Sequence, residues 1–237
     1  MAQVKTKEEI ENIKKACLET DAIFKNILKF LKSNTSPRTG LGLEVKEVEL
    51  RDFILGEIKR RGLKPSFPPI VTSGKNAGND IHPKPTDKKL SGFVIIDLGV
   101  KVNGYCSDMT RTIFVGNPND EQRKIYDLVL ESEMSGIREV KSGVHAYRVD
   151  EVCRKALGRY AKYFIHMTGH GVGKLIHENP KIYFKITKPI LAEGMVITVE
   201  PGIYIKNKLG IRIEDTILVT KKGSVILTKS SKNLITI

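Results

Sequence analysis

Two stretches of this 237-residue chain repeat one uncommon pattern. Val94-Ile95-Ile96-Asp97-Leu98-Gly99 runs on to Asp108-Met109-Thr110-Arg111-Thr112-Ile113-Phe114-Val115, and Ile197-Thr198-Val199-Glu200-Pro201-Gly202 runs on to Glu214-Asp215-Thr216-Ile217-Leu218-Val219. In each, an apolar run ends in acid-x-Gly and a second one follows acid-x-Thr. Alternating β-branched residues around polar turns predict paired strands. A carboxylate on an apolar strand is costly to desolvate unless a cation compensates it. If the two halves face each other, Asp97, Asp108, Glu200 and Glu214 converge, and their mutual repulsion calls for cations. Two divalent ions are the simplest remedy. Any one of these acids alone would pass for a solvated strand end; the repetition, with His170 in a Gly-rich run between the halves, argues for a site.

The rest of the chain repeats as well. Apolar positions at Ile10, Ile13, Ala16, Cys17, Ile23, Phe24, Ile27 and Leu31 predict a helix over 7–32, ended by the turn-rich stretch 33–40. A second helix is predicted over 44–61, stopped by Gly62, before the segment 67–73, a Gly/Asn/Pro-rich loop to Thr86 and the first acid-bearing strands. After 117–120 come helices predicted over 121–140 and 146–163, then strands from Phe164 onward. The order helix, helix, strands thus occurs twice within one domain spanning 1–237, with halves of 1–118 and 119–237. A tandem duplication about a pseudo-twofold axis accounts for it. The expected fold class is α+β, a curved antiparallel sheet backed by four helices.

Composition narrows the function classes. The formal net charge of +13 would suit a polyanion partner, but the basic residues are scattered in groups such as Lys59-Arg60-Arg61, Lys88-Lys89 and Lys221-Lys222, without a basic tail or an aromatic platform. Nucleic acid is therefore not the expected partner. No apolar run approaches the roughly 20 residues that span a bilayer, and the N-terminus lacks the apolar core of a signal peptide, so a cytoplasmic protein with no membrane partner is the expectation. Cys17, Cys106 and Cys153 form no C-x-x-C pair, which predicts buried free thiols rather than disulfides or a thiolate metal site.

The donor types set the chemistry. Oxygen ligands with one imidazole suit Mn, Co, Fe or Zn, and a pair of such ions acidifies a water and polarises a carbonyl, a hydrolase layout. The run Thr168-Gly169-His170-Gly171-Val172-Gly173-Lys174 is not a phosphate loop, because Leu175 stands where Ser or Thr is required. His177-Glu178 is not a zincin motif, because Lys181 stands where the second histidine would be. Glycines on both sides of His170 would let the backbone pass close to the metals.

Longer motifs carry a resemblance. Phe164-Ile165-His166-Met167-Thr168-Gly169-His170-Gly171-Val172-Gly173, His177-Glu178-Asn179-Pro180, Glu200-Pro201-Gly202-Ile203-Tyr204 and Arg212-Ile213-Glu214-Asp215-Thr216 resemble the Xaa-Pro peptidase branch of the pita-bread metallopeptidases, which contains prolidase and aminopeptidase P. Ser73-Gly74-x-Asn76 with His82, and Asp108-x-Thr110-Arg111-Thr112, fit the same pattern, so the likeness extends from Thr6 to Leu227.

The resemblance implies hydrolysis of Xaa-Pro bonds at a free N-terminus and two divalent ions per chain. Asp97 would chelate one, Asp108 and Glu214 would bridge both, and His170 and Glu200 would complete the second site. Glu200 would also relay the proton of the attacking water, while His82 and His177 would flank the cleft as non-ligand catalytic histidines. Arg212 would orient cleft carboxylates or substrate, and Lys181 would hold the carboxylate of a dipeptide. His166 is expected to support the His170 loop, and His145 to lie on the surface. Methionine aminopeptidases share the fold and ligands, but their last two glutamates lie farther apart than the 14-residue step from Glu200 to Glu214, and they lack Arg-x-Glu-Asp-Thr. A non-catalytic relative would be expected to have lost ligands. Members of the branch usually carry a preceding N-terminal domain that helps dimerise; the expectation is a catalytic domain without it, with a homodimer as the further partner to be tested.

Overall fold

The structure is a computed structural model describing residues 4–35 and 43–237. Residues 36–40 of the expected turn-rich stretch therefore lie outside the described residues.

Helix α1, Lys7–Ser33, buries Ile13, Cys17, Thr20, Phe24, Ile27 and Leu31 along one face, at the three- and four-residue spacing of an amphipathic helix. Its start is fixed chemically: Thr6 accepts the Glu9 backbone N–H while the Glu9 carboxylate accepts that of Thr6. Helix α2, Glu47–Arg60, begins later than expected. The reason is that Lys46 is extended and bridged to Lys89, the Val45 carbonyl accepting from Leu90 N and Glu47 N donating to the Lys88 carbonyl. Helix α3 is Asp120–Glu139 and α4 is Ala146–Leu157. The helix expected to continue to 163 stops at Gly158, whose φ of 52° lies in the left-handed region, and 158–163 tighten into a 3₁₀ turn.

The strands follow in two sets. The first comprises β1 (Lys64–Pro65), β2 (Ile70–Ser73), β3 (Gly92–Leu98), β4 (Val100–Val102), β5 (Tyr105–Cys106) and β6 (Met109–Val115). The second comprises β7 (Gly169–Gly171), β8 (Glu178–Ile182), β9 (Val196–Val199), β10 (Gly202–Ile205), β11 (Leu209–Arg212), β12 (Asp215–Val219) and β13 (Ser224–Ile226). All the strand pairings are antiparallel, but the hydrogen-bonded ladders form four groups, β2-β3-β6, β1-β4-β5, β10-β11 and β13-β12-β9-β7-β8, rather than one uninterrupted sheet. The strands expected from Phe164 onward are present as β7 to β13, with none between Ile182 and Val196.

Each set is backed by its own helices. Phe24, Ile27, Leu31, Leu50 and Ile54 of α1 and α2 pack on Val94, Ile96 and Ile113 of β3 and β6. Tyr126, Val129, Val149 and Cys153 of α3 and α4 pack on Ile197, Val199 and Ile217 of β9 and β12. Full burial of such a side chain contributes about 1.5–3 kcal/mol, so each half has its own core and the seam between them can carry polar groups. The three cysteines are free and buried. No described helix is long and apolar enough to cross a membrane.

Candidate metal centre

The seam is where the matched acids meet. Asp97, one residue before the end of β3, lies opposite Thr110 of β6, and Glu200 directly follows β9. Across the seam the two acid-x-Thr motifs serve each other: Thr110 Oγ1 donates to Glu214 Oε2 at 2.7 Å, and Thr216 Oγ1 donates to the Asp108 carbonyl at 2.7 Å. Glu214 N also donates to the Thr110 carbonyl at 3.1 Å. The threonine in the repeated pattern is thus the device that ties one half's acid to the other half.

His170 is placed by crowded backbone. A Cβ on Gly169 would stand 2.1 Å from the Thr198 carbonyl oxygen, and one on Gly171 would stand 2.3 Å from that of Asn179. The flanking glycines therefore let β7 approach β9 and β8 closely. Nδ1 of His170 lies 3.1 Å from the Gly171 carbonyl. A carbonyl only accepts, so Nδ1 carries the proton and Nε2 presents its lone pair. Burial, followed by neighbouring His177, pushes its pKa down to about 4, which keeps the ring neutral.

That lone pair faces acids. Nε2 is 3.6 Å from Asp108 Oδ2 and 3.4 Å from Glu200 Oε1, beyond a good hydrogen bond yet close enough to share a cation. Donor atoms of Asp108, His170 and Glu214 all lie within 4.8 Å of one another. Burial, then Glu214, Asp97 and Glu200, hold the Asp108 carboxyl well above its usual range. Burial, then Glu200 and Asp97, do the same for Glu214. Glu200 is pushed up to about 8 by burial, with Asp97 adding to the rise. Among the described residues, Asp97 Oδ1 and Glu214 Oε1 are buried without a hydrogen-bond partner. Unpaired buried oxygens beside a free imidazole nitrogen fit divalent cations, which would remove the repulsion and satisfy the orphaned atoms.

Arg212 belongs to the framework of this centre. It is 2% exposed and donates to Asp97 Oδ2 at 2.6 Å, Tyr204 Oη at 2.8 Å, Thr110 Oγ1 at 3.1 Å and the Ile81 carbonyl at 3.2 Å. These bonds favour orienting a carboxylate over holding substrate. His166 continues the chain: Nδ1 lies 2.8 Å from the Met167 carbonyl, so Nε2 accepts from Tyr204 Oη at 3.0 Å. Burial, with Arg212 next, pushes His166 down to about 3, so it is a neutral support, as expected. Tyr204 was visible in the sequence only as part of a motif; its bonding role could not be seen without the fold. Thr198, which donates to Glu200 Oε1 at 3.2 Å and accepts from His170 N at 3.0 Å, was missed too, although its place two residues before Glu200 was the available signal.

The five ligand candidates line one cavity of ≈ 410 Å³ together with His82, His166, His177 and Arg212. The side chains of His82 and His177 belong to exposed residues at its rim, and the His177 ring sits edge-on to His170 with centroids 4.3 Å apart. Burial, then His82, lowers the pKa of His177. Lys181 is not brought to this cavity: β8 is the edge strand of its ladder, and Lys181 is exposed there, outside the lining. Lys84, between Pro83 and Pro85, is the lysine in the wall. His145 is exposed at the start of α4, as expected.

Known proteins share this arrangement. The profile of metallopeptidase family M24 matches residues 11–221. The Xaa-Pro dipeptidase of Pyrococcus furiosus is 42% identical over 98% of this chain, which spans 65% of that protein's length. The structure of prolidase from Thermococcus sibiricus superposes with a TM-score of 0.90 at 39% identity, covering 100% of this chain and 63% of that one. The structure of X-Pro aminopeptidase from Thermotoga maritima has a TM-score of 0.90 at 30% identity, covering 100% and 65%. The chain thus spans less than two thirds of these relatives, in the region that carries the pita-bread fold. With its matched acids, its seam and its two helix-backed strand sets accounted for, the chain belongs to metallopeptidase family M24.

Proposed function

We propose that this protein is a metal-dependent exopeptidase that hydrolyses Xaa-Pro bonds at a free N-terminus, with Xaa-Pro dipeptides preferred. The observation that carries this reading is the single cavity that gathers Asp97, Asp108, His170, Glu200 and Glu214 with two further histidines. Named relatives include an Xaa-Pro dipeptidase and a prolidase, which supports the same substrate class.

Asp97, Asp108, His170, Glu200 and Glu214 would hold two divalent ions. Bound ions supply Lewis acidity for the scissile carbonyl and lower the pKa of the attacking water. Hydrolysis adds the water oxygen to the carbonyl carbon and returns protons to the amine that leaves. Glu200 takes a proton from the water and passes it toward the proline nitrogen. His82 and His177, at the rim, bind the substrate and stabilise the departing group. An Xaa-Pro bond carries no N–H, so the cleft needs no acceptor for one; its wall includes Phe67, Pro68, Pro69 and Ile70, which suit the apolar ring. The cation for a dipeptide carboxylate is Lys84 rather than Lys181, because only Lys84 lines the cavity.

Incubation of the manganese- or cobalt-loaded protein with Ala-Pro, Ala-Pro-Ala and Met-Ala-Ser, with products identified by mass spectrometry, tests the reading. Cleavage of both proline substrates, the dipeptide faster, is expected. Lys84→Met should raise KM for Ala-Pro about tenfold and leave Ala-Pro-Ala less affected, while Lys181→Met should change neither. Faster cleavage of Met-Ala-Ser would replace the reading with a methionine aminopeptidase, and no cleavage with bound metal would point to a binding protein.

A further inference from the structure

The turn that bears His177 is held from the opposite end of the sequence. Glu178, the next residue, folds its carboxylate back over that turn: Oε1 accepts the Leu175 backbone N–H at 3.1 Å. A Cβ on Gly173 would stand 2.3 Å from the same oxygen, so the carboxylate is packed directly on the backbone. Gly173 N donates to the Leu175 carbonyl at 3.1 Å, and the Gly173 carbonyl accepts from Cys106 N at 2.8 Å. The other Glu178 oxygen, Oε2, receives Lys5 Nζ at 2.6 Å. Both side chains of that pair are nearly out of water, 2% exposed for Lys5 and 10% for Glu178.

Lys5 is itself anchored. Its backbone N donates to the Gly194 carbonyl at 2.9 Å, and the residue after it, Thr6, caps α1. A buried ion pair adds little net stability over an apolar pair, but it specifies one arrangement strongly, because either partner left alone is an uncompensated charge. What this pair specifies is the shape of the 173–178 turn, and the residue at the end of that turn lies edge-on to His170 at the cavity rim.

We propose that Lys5 is a positioning residue which, through Glu178, sets the His177 ring in the cavity. The kinetic side of this inference rests on the Xaa-Pro peptidase reading above. Its structural side does not.

The test uses the full chain loaded with zinc for spectroscopy and manganese for kinetics. Lys5→Met is expected to keep metal stoichiometry and KM for Ala-Pro, to lower kcat about tenfold, less than the roughly 10²–10⁴-fold loss expected when an acid–base group is removed outright, to shift the His177 ring resonances, and to speed amide exchange at Leu175. Lys5→Arg should restore kcat and the resonances, and the His145 resonances should stay fixed throughout. A folded Lys5→Met protein with unchanged His177 resonances and unchanged Leu175 exchange overturns the proposal, as does a fall in Tm with kcat intact. If Lys5→Met does not fold, Glu178→Gln, which keeps the side-chain shape, decides on the same readouts. If the wild-type protein cleaves no Xaa-Pro bond, the peptidase reading fails, while the resonance and exchange measurements still decide the role of Lys5.

Discussion

Arg212 gives one Asp97 oxygen a charge-assisted bond at 2.6 Å while the other is left without a partner, so the guanidinium aims the carboxylate without consuming it. Tyr204 and His166 hold the guanidinium in turn. Such supports behave differently from residues at the rim. His82 and His177 contribute no ligand atom to the cluster around Asp108, His170 and Glu214. His82→Ala and His177→Ala are therefore expected to keep full metal occupancy by elemental analysis and to lose activity on the order of 10²–10⁴-fold in kcat, as for removed acid–base groups. Turnover unchanged in both variants would make them structural. At this scale the sequence was generous. The acids, the histidine between them and their repeated spacing could be read from it, and the resemblance pointed to the two rim histidines; all of them line one cavity. The direction of Lys181 could not be read, since an edge strand's two faces are distinguished only by what packs against it.

Among the elements, β7 is the one whose crowding bears on the site. It is three residues long, Gly169–Gly171, and lies between β9 and β8, where a Cβ at Gly169 would overlap the Thr198 carbonyl at 2.1 Å. Gly169→Ala should push β7 away from β9 and carry His170 off the acids. A loss of about 1–3 kcal/mol, the usual cost of overpacking, is expected in denaturant unfolding, together with weaker metal binding by titration calorimetry. Wild-type affinity in that variant would mean that β7 can shift without moving His170. Helix existence was legible in the sequence, since the faces of α1 and α3 follow the helical period. Helix ends were less so: α2 starts late because Lys88 and Leu90 bond the backbone on either side of Lys46, and that pairing is tertiary.

For the whole molecule, the seam makes stability depend on pH and metal together. Glu200 has its pKa raised to about 8, and Asp108 and Glu214 are raised as well. A raised carboxyl pKa means the folded state binds more protons than the unfolded one, so stability is fullest below the unfolded value and is lost as pH rises toward the folded value. His166 and His170, lowered to about 3 and about 4, work the other way, gaining stability as pH rises to 6.5 and adding nothing further above it. Between pH 6.5 and 8 only the acids act. Metal-free protein should thus show a falling Tm across that window in scanning fluorimetry, and added manganese should raise Tm and abolish the fall, because cations stabilise the ionised acids. A metal-free Tm that rises over the same window would contradict this picture of the seam.

The sequence by itself determined the α+β class, the doubled order of helices and strands, the acids and the histidine that belong together, and the family they resemble, because periodicity, capping and ligand type are local properties of the chain. Tertiary structure decided the rest. It split the strands into separate ladders, showed that Thr110 and Thr216 stitch the halves crosswise, turned Arg212 onto Asp97, and set Lys84 rather than Lys181 in the cavity wall. It also brought Lys5 to Glu178, a contact across 173 positions of sequence. Contacts of that kind depend on which faces two distant segments present to each other; a local pattern can mark a face, but which distant face it meets is set only when the core has formed.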